Sequence, residues 1–157
     1  MTDDRLQRAI RHLSIMDVYL TATQAHHEAG FNPKAAHAFA GLKVQTMHLV
    51  RRSEILETKD DTDRFILRVI LGFGVRWIRE AESEEGNPEV RALIEADYAA
   101  EYLMDERLDQ ETIDVFALRN ASYHVWPYWR EYLMSQCERL RMPRLILPIR
   151  QFPDNGK

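Results

Sequence analysis

The side chains in this 157-residue chain with chemistry of their own to offer are three clustered histidines, one cysteine and a set of interleaved arginines and acids. His26, His27 and His37 lie close together and invite a metal reading. No Cys-x-x-Cys or His-Glu-x-x-His pattern accompanies them, and neighbours in an extended chain point to opposite sides, so His26 and His27 would not converge on one ion. They are expected to be structural. Cys137 has no base beside it and sits in an amphipathic run, where an inert, partly buried thiol is expected rather than a nucleophile. The sequence contains no Gly-x-Ser-x-Gly elbow, phosphate-binding loop or cofactor fingerprint. No catalytic residue, metal or cofactor is therefore expected. An α+β ligand-binding or enzymatic domain of unknown substrate stays open as the alternative, because a sheet with a helical cover makes good pockets.

Composition narrows the partners. The chain is 45% hydrophobic and 29% charged, with a net charge of −4, and its arginines alternate with acids. Phosphate binding needs a clustered positive field, so nucleic acid is not expected as the main partner. No apolar run of about 18 residues exists, so membrane insertion is not expected. A single cysteine allows no intrachain disulfide, and the acidic start Met-Thr-Asp-Asp-Arg is not followed by an apolar signal segment. The cytoplasm is the expected location. A single domain spanning 1–157 suits this length.

The elements that would position these side chains follow from the apolar periods. Residues 1–13 form either a short helix, with Leu6, Ala9, Ile10 and Leu13 at helical spacing, or a frayed arm. Four strands are expected over 14–103. In 14–24, Met16, Val18, Leu20 and Ala22 alternate with polar residues, which predicts one buried face. Residues 25–41, with Gly30, Asn32-Pro33 and Gly41, form a long connection whose Phe31 and Phe39 need cover. Residues 42–50 alternate as Leu42, Val44, Thr46, His48 and Val50 against Lys43, Gln45, Met47 and Leu49. The charged run 51–63 is expected to turn the chain in solvent.

In 64–78, Phe65, Leu67, Val69, Leu71, Phe73, Val75 and Trp77 share one face, and Arg64, Arg68 and Arg76 share the other with Gly72 and Gly74. In 91–103, Ala92, Ile94, Ala96, Tyr98, Ala100 and Tyr102 form one face. Pairing of these two strands would set Glu95, Asp97 and Glu101 across from the arginines. Helices are expected over 109–141. Asp109 is the N-cap of the first, a break falls near His124, and Pro127 opens the second in its first turn. Pro143 stops that helix, and 142–157 is an extended tail. Strands first and helices last predict an α+β fold, an antiparallel four-stranded meander with helices packed on one face.

At the second helix the sequence resembles a known family. Trp126-Pro127-Tyr128-Trp129-Arg130-Glu131, followed by Arg141-Met142-Pro143-Arg144-Leu145-Ile146-Leu147, is similar to the SecB export chaperones, whose members carry an aromatic-Pro-Tyr-x-Arg-Glu helix and a Pro-x-Leu-x-Leu tail at this spacing. The resemblance extends as a pattern over about Ser14 to Phe152. It implies an ATP-independent holdase for unfolded polypeptides, not an enzyme. It also implies a homotetramer built as a dimer of dimers, with the helices at the tetramer interface. The acidic outer face of the sheet would dock on the SecA ATPase, and Leu93 and Glu95 match two family contacts there. Tyr19 and Thr23 stand where the family has acids, and the chain ends soon after the tail. These departures suit the divergent SecB-like chaperones of toxin–antitoxin systems, so an antitoxin joins SecA as an expected partner. Clients are expected at Phe39, Phe31, Tyr98, Phe116 and Trp126. Phe39 is the foremost of these, as a large apolar residue on a glycine-bounded connection.

Overall fold

A computed structural model describes residues 4–57 and 64–147. Its elements are α1 (Asp4–His12), β1 (Leu13–His27), β2 (Leu42–Glu57), β3 (Phe65–Arg79), β4 (Glu89–Met104), α2 (Gln110–Phe116), a π-helical turn (Ala117–Ala121) and α3 (Ser122–Leu140). The four antiparallel strands lie in the order β1-β4-β3-β2. β2, β3 and β4 are a meander, but β1 pairs with β4, so the connection 28–41 crosses from one edge of the sheet to the other. The expected four-strand meander is corrected to this Greek-key order.

Period-2 patterning predicts the two central strands well. Leu67, Val69, Leu71, Phe73, Val75 and Trp77 of β3 are buried on the helix side, as are Ala92, Ile94, Ala96, Tyr98, Ala100 and Tyr102 of β4. On the opposite face, Arg68 lies across from Glu101 and bonds it at 2.9 Å. Asp97 falls opposite Gly72 and is reached from β2 by Arg51, at 2.7 Å. The bare Gly72 is what admits that guanidinium: a Cβ there would lie 2.9 Å from Arg51 Nε.

Two strand expectations are corrected. β1 has no buried face: Met16 and Leu20 are exposed, and only Val18 of the predicted set is half-covered. β1 is an edge strand, and irregularities between Ile15 and Asp17 and between Leu20 and Ala22 break its alternation. The run 51–63 does not turn at Arg51. β2 continues to Glu57 after a bulge between Val50 and Arg52, because its charges stay solvated and paired on the strand, Arg52 with Glu54 and Arg51 with Asp97. Residues 58–63 lie outside the described residues, as do 1–3 and the tail from 148.

α1 forms, burying Leu6 and Ala9, and ion pairs from Arg8 to Glu106 and from Arg5 to Glu111 tie it to the β4–α2 region. The Arg8 guanidinium holds the Glu106 carboxyl below its ordinary range. Asp109 caps α2 by accepting from the Thr112 N–H at 2.9 Å, and this bond lowers its pKa.

The break expected near His124 is absent, and Pro127 lies inside α3 rather than in its first turn. Ile113, Ala117, Ala121, Val125, Trp129, Leu133 and Cys137 are all buried at a spacing of four. In a plain α-helix of about 3.6 residues per turn such a stripe rotates by about 40° per step. The wider π turn takes up part of that rotation and keeps the stripe on the sheet. Tyr123 and Pro127 both face solvent, so water can serve the carbonyl left without the proline N–H. α3 ends in a left-handed Arg141, with the Met142 N–H donating to the Cys137 carbonyl at 2.9 Å.

The half-buried His124 is bonded through Nδ1 to the Tyr102 hydroxyl at 2.9 Å, and burial pushes its pKa below the ordinary 6.5. The unfolded chain therefore takes up this proton at a higher pH than the folded one. Stability is expected to be full above the unfolded value and to fall as pH drops below it. Chemical denaturation from pH 7.5 to 5 checks this, and His124→Asn should flatten the slope.

Candidate functional site

The connection 28–41 is a chain of tight turns. Asn32 accepts from the Lys34 N–H through Oδ1, and backbone bonds join Ala38 to Ala35, Ala40 to His37 and Leu42 to Phe39. Gly30 and Gly41 take positive φ at its two ends, which glycine adopts without strain. The near end is anchored twice. The Glu28 N–H donates to the Arg91 carbonyl, and His27 Nε2 meets the carbonyl of Leu140, the last residue of α3, at 2.7 Å. His26 Nε2 pairs with the Gln24 amide at 2.9 Å. Both histidines thus serve local structure, and among the described residues no three His, Cys, Asp or Glu side chains converge as a metal site.

The Phe31 and Phe39 rings pack at a tilt of 50°, 6.3 Å between centres, with the Arg91 guanidinium 5.6 Å from the Phe31 ring and His27 beside it. Phe31 is partly buried against the core. Phe39 remains 37% exposed, and Val44 on the adjoining β2 is 42% exposed. Val44 lies opposite Trp77, so it shares the helix-side face. Phe39 and Val44 thus form an apolar rim where the connection runs into the β2 edge.

Tyr98, Phe116 and Trp126 are placed differently. All three are buried, at 4%, 2% and 6% exposure. Phe73 lies 6.2 Å from Tyr98 and 6.0 Å from Trp126, and Phe116 packs on Tyr102 at 4.9 Å. They are core side chains in this chain and offer no surface beside Phe39. Burial also raises the Tyr98 and Tyr102 hydroxyl pKa values well above the usual tyrosine range. Cys137 is fully buried, and burial raises its thiol pKa, which disfavours the reactive thiolate.

Leu93 and Glu95 lie half-exposed on the outer face of the sheet. Glu95 flanks Gly74, where a Cβ would come within 3.2 Å of its Cγ. The face around them is balanced rather than acidic: Glu54, Asp97 and Glu101 meet Arg52, Arg51 and Arg68.

Sequence reasoning missed β1 as an apolar surface. Ile15, Met16, Tyr19 and Leu20 are between 37% and 56% exposed. The signal was present in their apolar character, but alternation assigned half of them to a buried face. An open cleft of about 680 Å³ lies elsewhere, between the solvent side of α3 and the start of the tail, lined by Glu131, Met134, Glu138 and Arg144 among others. Among the described residues its lining holds no aromatic side chain.

A four-stranded antiparallel sheet with helices on one side, crossed by an aromatic connection, defines an α+β fold of SecB type. Among solved structures the chain is similar to the Mycobacterium tuberculosis Rv1957 SecB-like chaperone, in complex with a ChAD peptide from the Rv1956 HigA1 antitoxin. The TM-score is 0.65 at 21% sequence identity, over 96% of this chain and 99% of that one. The fold is thus SecB-like. No protein-family model and no curated protein sequence matches the chain.

Proposed function

We propose that this protein is an ATP-independent chaperone that holds unfolded polypeptide, working as a cytoplasmic homotetramer. The observation that carries the reading is the SecB-like fold across 96% of the chain. The exposed apolar rim of Phe39 and Val44 supports it, because apolar burial is non-directional and accepts many client sequences. Each Å² of apolar surface that a client buries contributes about 25 cal/mol. The exposed apolar residues of β1 support assembly: Ile15 and Leu20 stand in water on this edge strand and offer apolar area for a second copy to cover. The single buried Cys137 suits a reducing, cytoplasmic setting.

Between export and a dedicated client, the outer face favours the dedicated client. The SecA docking that the resemblance implies uses an acidic outer face, whereas the acids around Leu93 and Glu95 are largely matched by arginines. The similar solved chaperone holds an antitoxin peptide, and an antitoxin segment is the client class we assign here. The test is co-elution of the protein with reduced, carboxymethylated α-lactalbumin on size exclusion. A stable complex with this permanently unfolded chain is expected, and Phe39→Ser should weaken it about tenfold, or ~1.4 kcal/mol. Separate elution at every ratio contradicts the proposal.

A further inference from the structure

α1 is nine residues long, short of the roughly 12–15 at which an isolated helix begins to persist in water. It therefore stands only while it is docked. It packs chiefly on α2 and touches β1. The apolar share of that docking is small. Leu6 and Ala9 are buried and join the core that includes Leu108 and Ile113, whereas Ile10 is 43% exposed. An alanine brings little apolar area, so Leu6 is the one large anchor within the helix.

The rest of the attachment is charged. Arg5 pairs with Glu111 at 2.6 Å, and Arg8 pairs with Glu106 at 2.5 Å and with Asp109 at 3.6 Å. His12 meets Asp105 through Nδ1 at 2.7 Å and Glu106 through Nε2 at 3.3 Å. Positions 5, 8 and 12 are three and four residues apart, so they share one side of the helix. Their four acidic partners all lie within 105–111, the stretch that leads from β4 into α2. The side chains in these pairs are 28–70% exposed, so dissolved ions reach them. Between about 10 mM and 1 M salt the screening length falls from about 30 Å to about 3 Å, and exposed pairs weaken accordingly.

What α1 docks on is apolar. α2 buries Ile113 and Phe116, and Leu108 just before it is 3% exposed. This region lies at the end of the sheet where Leu13 and Phe65 meet Met104. Val44, opposite Trp77, lies at the other end.

We propose that α1 is a strap held by charge, which detaches as a unit when its ion pairs are screened and bares an apolar seat around Leu108 and Ile113 while the sheet stays folded. The seat is a second apolar surface, separate from Phe39 and Val44, and ionic conditions set how often it is open. The proposal goes beyond the chaperone reading and does not rest on it.

Amide hydrogen exchange on the full-length protein at neutral pH tests it. The reporters are the amides from Arg8 to His12, which bond within the helix only while α1 is formed. Raising sodium chloride from about 10 mM to 1 M is expected to lower their protection about fivefold, with β3 and β4 unchanged. Arg8→Glu should release α1 already at low salt and raise the fluorescence of the apolar probe 1-anilinonaphthalene-8-sulfonate. Glu106→Arg added to that variant should restore both readings towards those of the original chain. Protection that does not respond to salt overturns the strap. So does protection lost only together with that of β3 and β4, because α1 would then belong to a single cooperative core. Failure of the reversed pair to restore docking overturns charge as the fastening. Release without a rise in probe fluorescence overturns the apolar seat. None of these outcomes requires a client, so the strap and the chaperone reading stand or fall separately.

Discussion

Phe73→Ala is expected to cost about 3–5 kcal/mol of folding stability. Phe73 is fully buried on the central strand β3 and is the side chain on which the helix layer meets the sheet. Its ring stacks on Trp129 at 5.7 Å and on His48 at 5.1 Å, and it packs on Trp126 and Tyr98. His48 in turn reaches the buried Ser122 hydroxyl at 2.8 Å, at the junction of the π turn and α3. Removing the ring leaves a cavity between three aromatics that cannot collapse together, and it loosens the link from β2 to α3. Urea denaturation measures the cost. A loss below about 1 kcal/mol would show that the helix layer is not held through Phe73.

Ile15→Glu combined with Leu20→Glu is expected to split the proposed homotetramer at β1 into dimers while leaving each subunit folded. Both side chains are exposed on β1 within one chain, at 52% and 41%, so the subunit core does not depend on them. In a two-fold interface each substitution acts twice. Each side chain is about half-exposed in the single chain, so an interface covers about half of its surface; losing four of them costs about 3 kcal/mol at the low end of their transfer energies, some two orders of magnitude in dissociation constant. Introduced carboxylates add a desolvation cost. Light scattering coupled to size exclusion reads the mass, and circular dichroism reads the fold. An unchanged mass would remove β1 from the assembly surface.

What the sequence revealed, and what it hid, follows from how local each signal is. β3 and β4 were legible because both are central strands with one face under the helices: burial follows the alternation along most of β4, and the alternating apolar face of β3 is buried from Leu67 to Trp77 although Ile70 and Ile78 on its other face are buried too. Their pairing also appeared in the match of Arg68 with Glu101. β1 and the end of β2 were misjudged because apolar residues on this edge strand stay exposed in the single chain, and because Arg51 and Arg52 resemble a turn until Asp97 and Glu54 are seen beside them. The continuous helix through His124 was written in the four-residue spacing from Ile113 to Cys137, but Pro127 outweighed it. Of the aromatics expected to meet a client, type alone could not separate exposed Phe39 from buried Tyr98, Phe116 and Trp126. That difference arises from the crossing of the connection over the sheet, a long-range event with no local period.

The central claim is that this chain holds unfolded polypeptide without consuming nucleotide. Light scattering from thermally unfolding citrate synthase, mixed with the protein at increasing ratios and without ATP, tests it most directly. The account predicts progressive suppression that is complete near a stoichiometric ratio and unaltered by added ATP. Undiminished scattering at every ratio would contradict it.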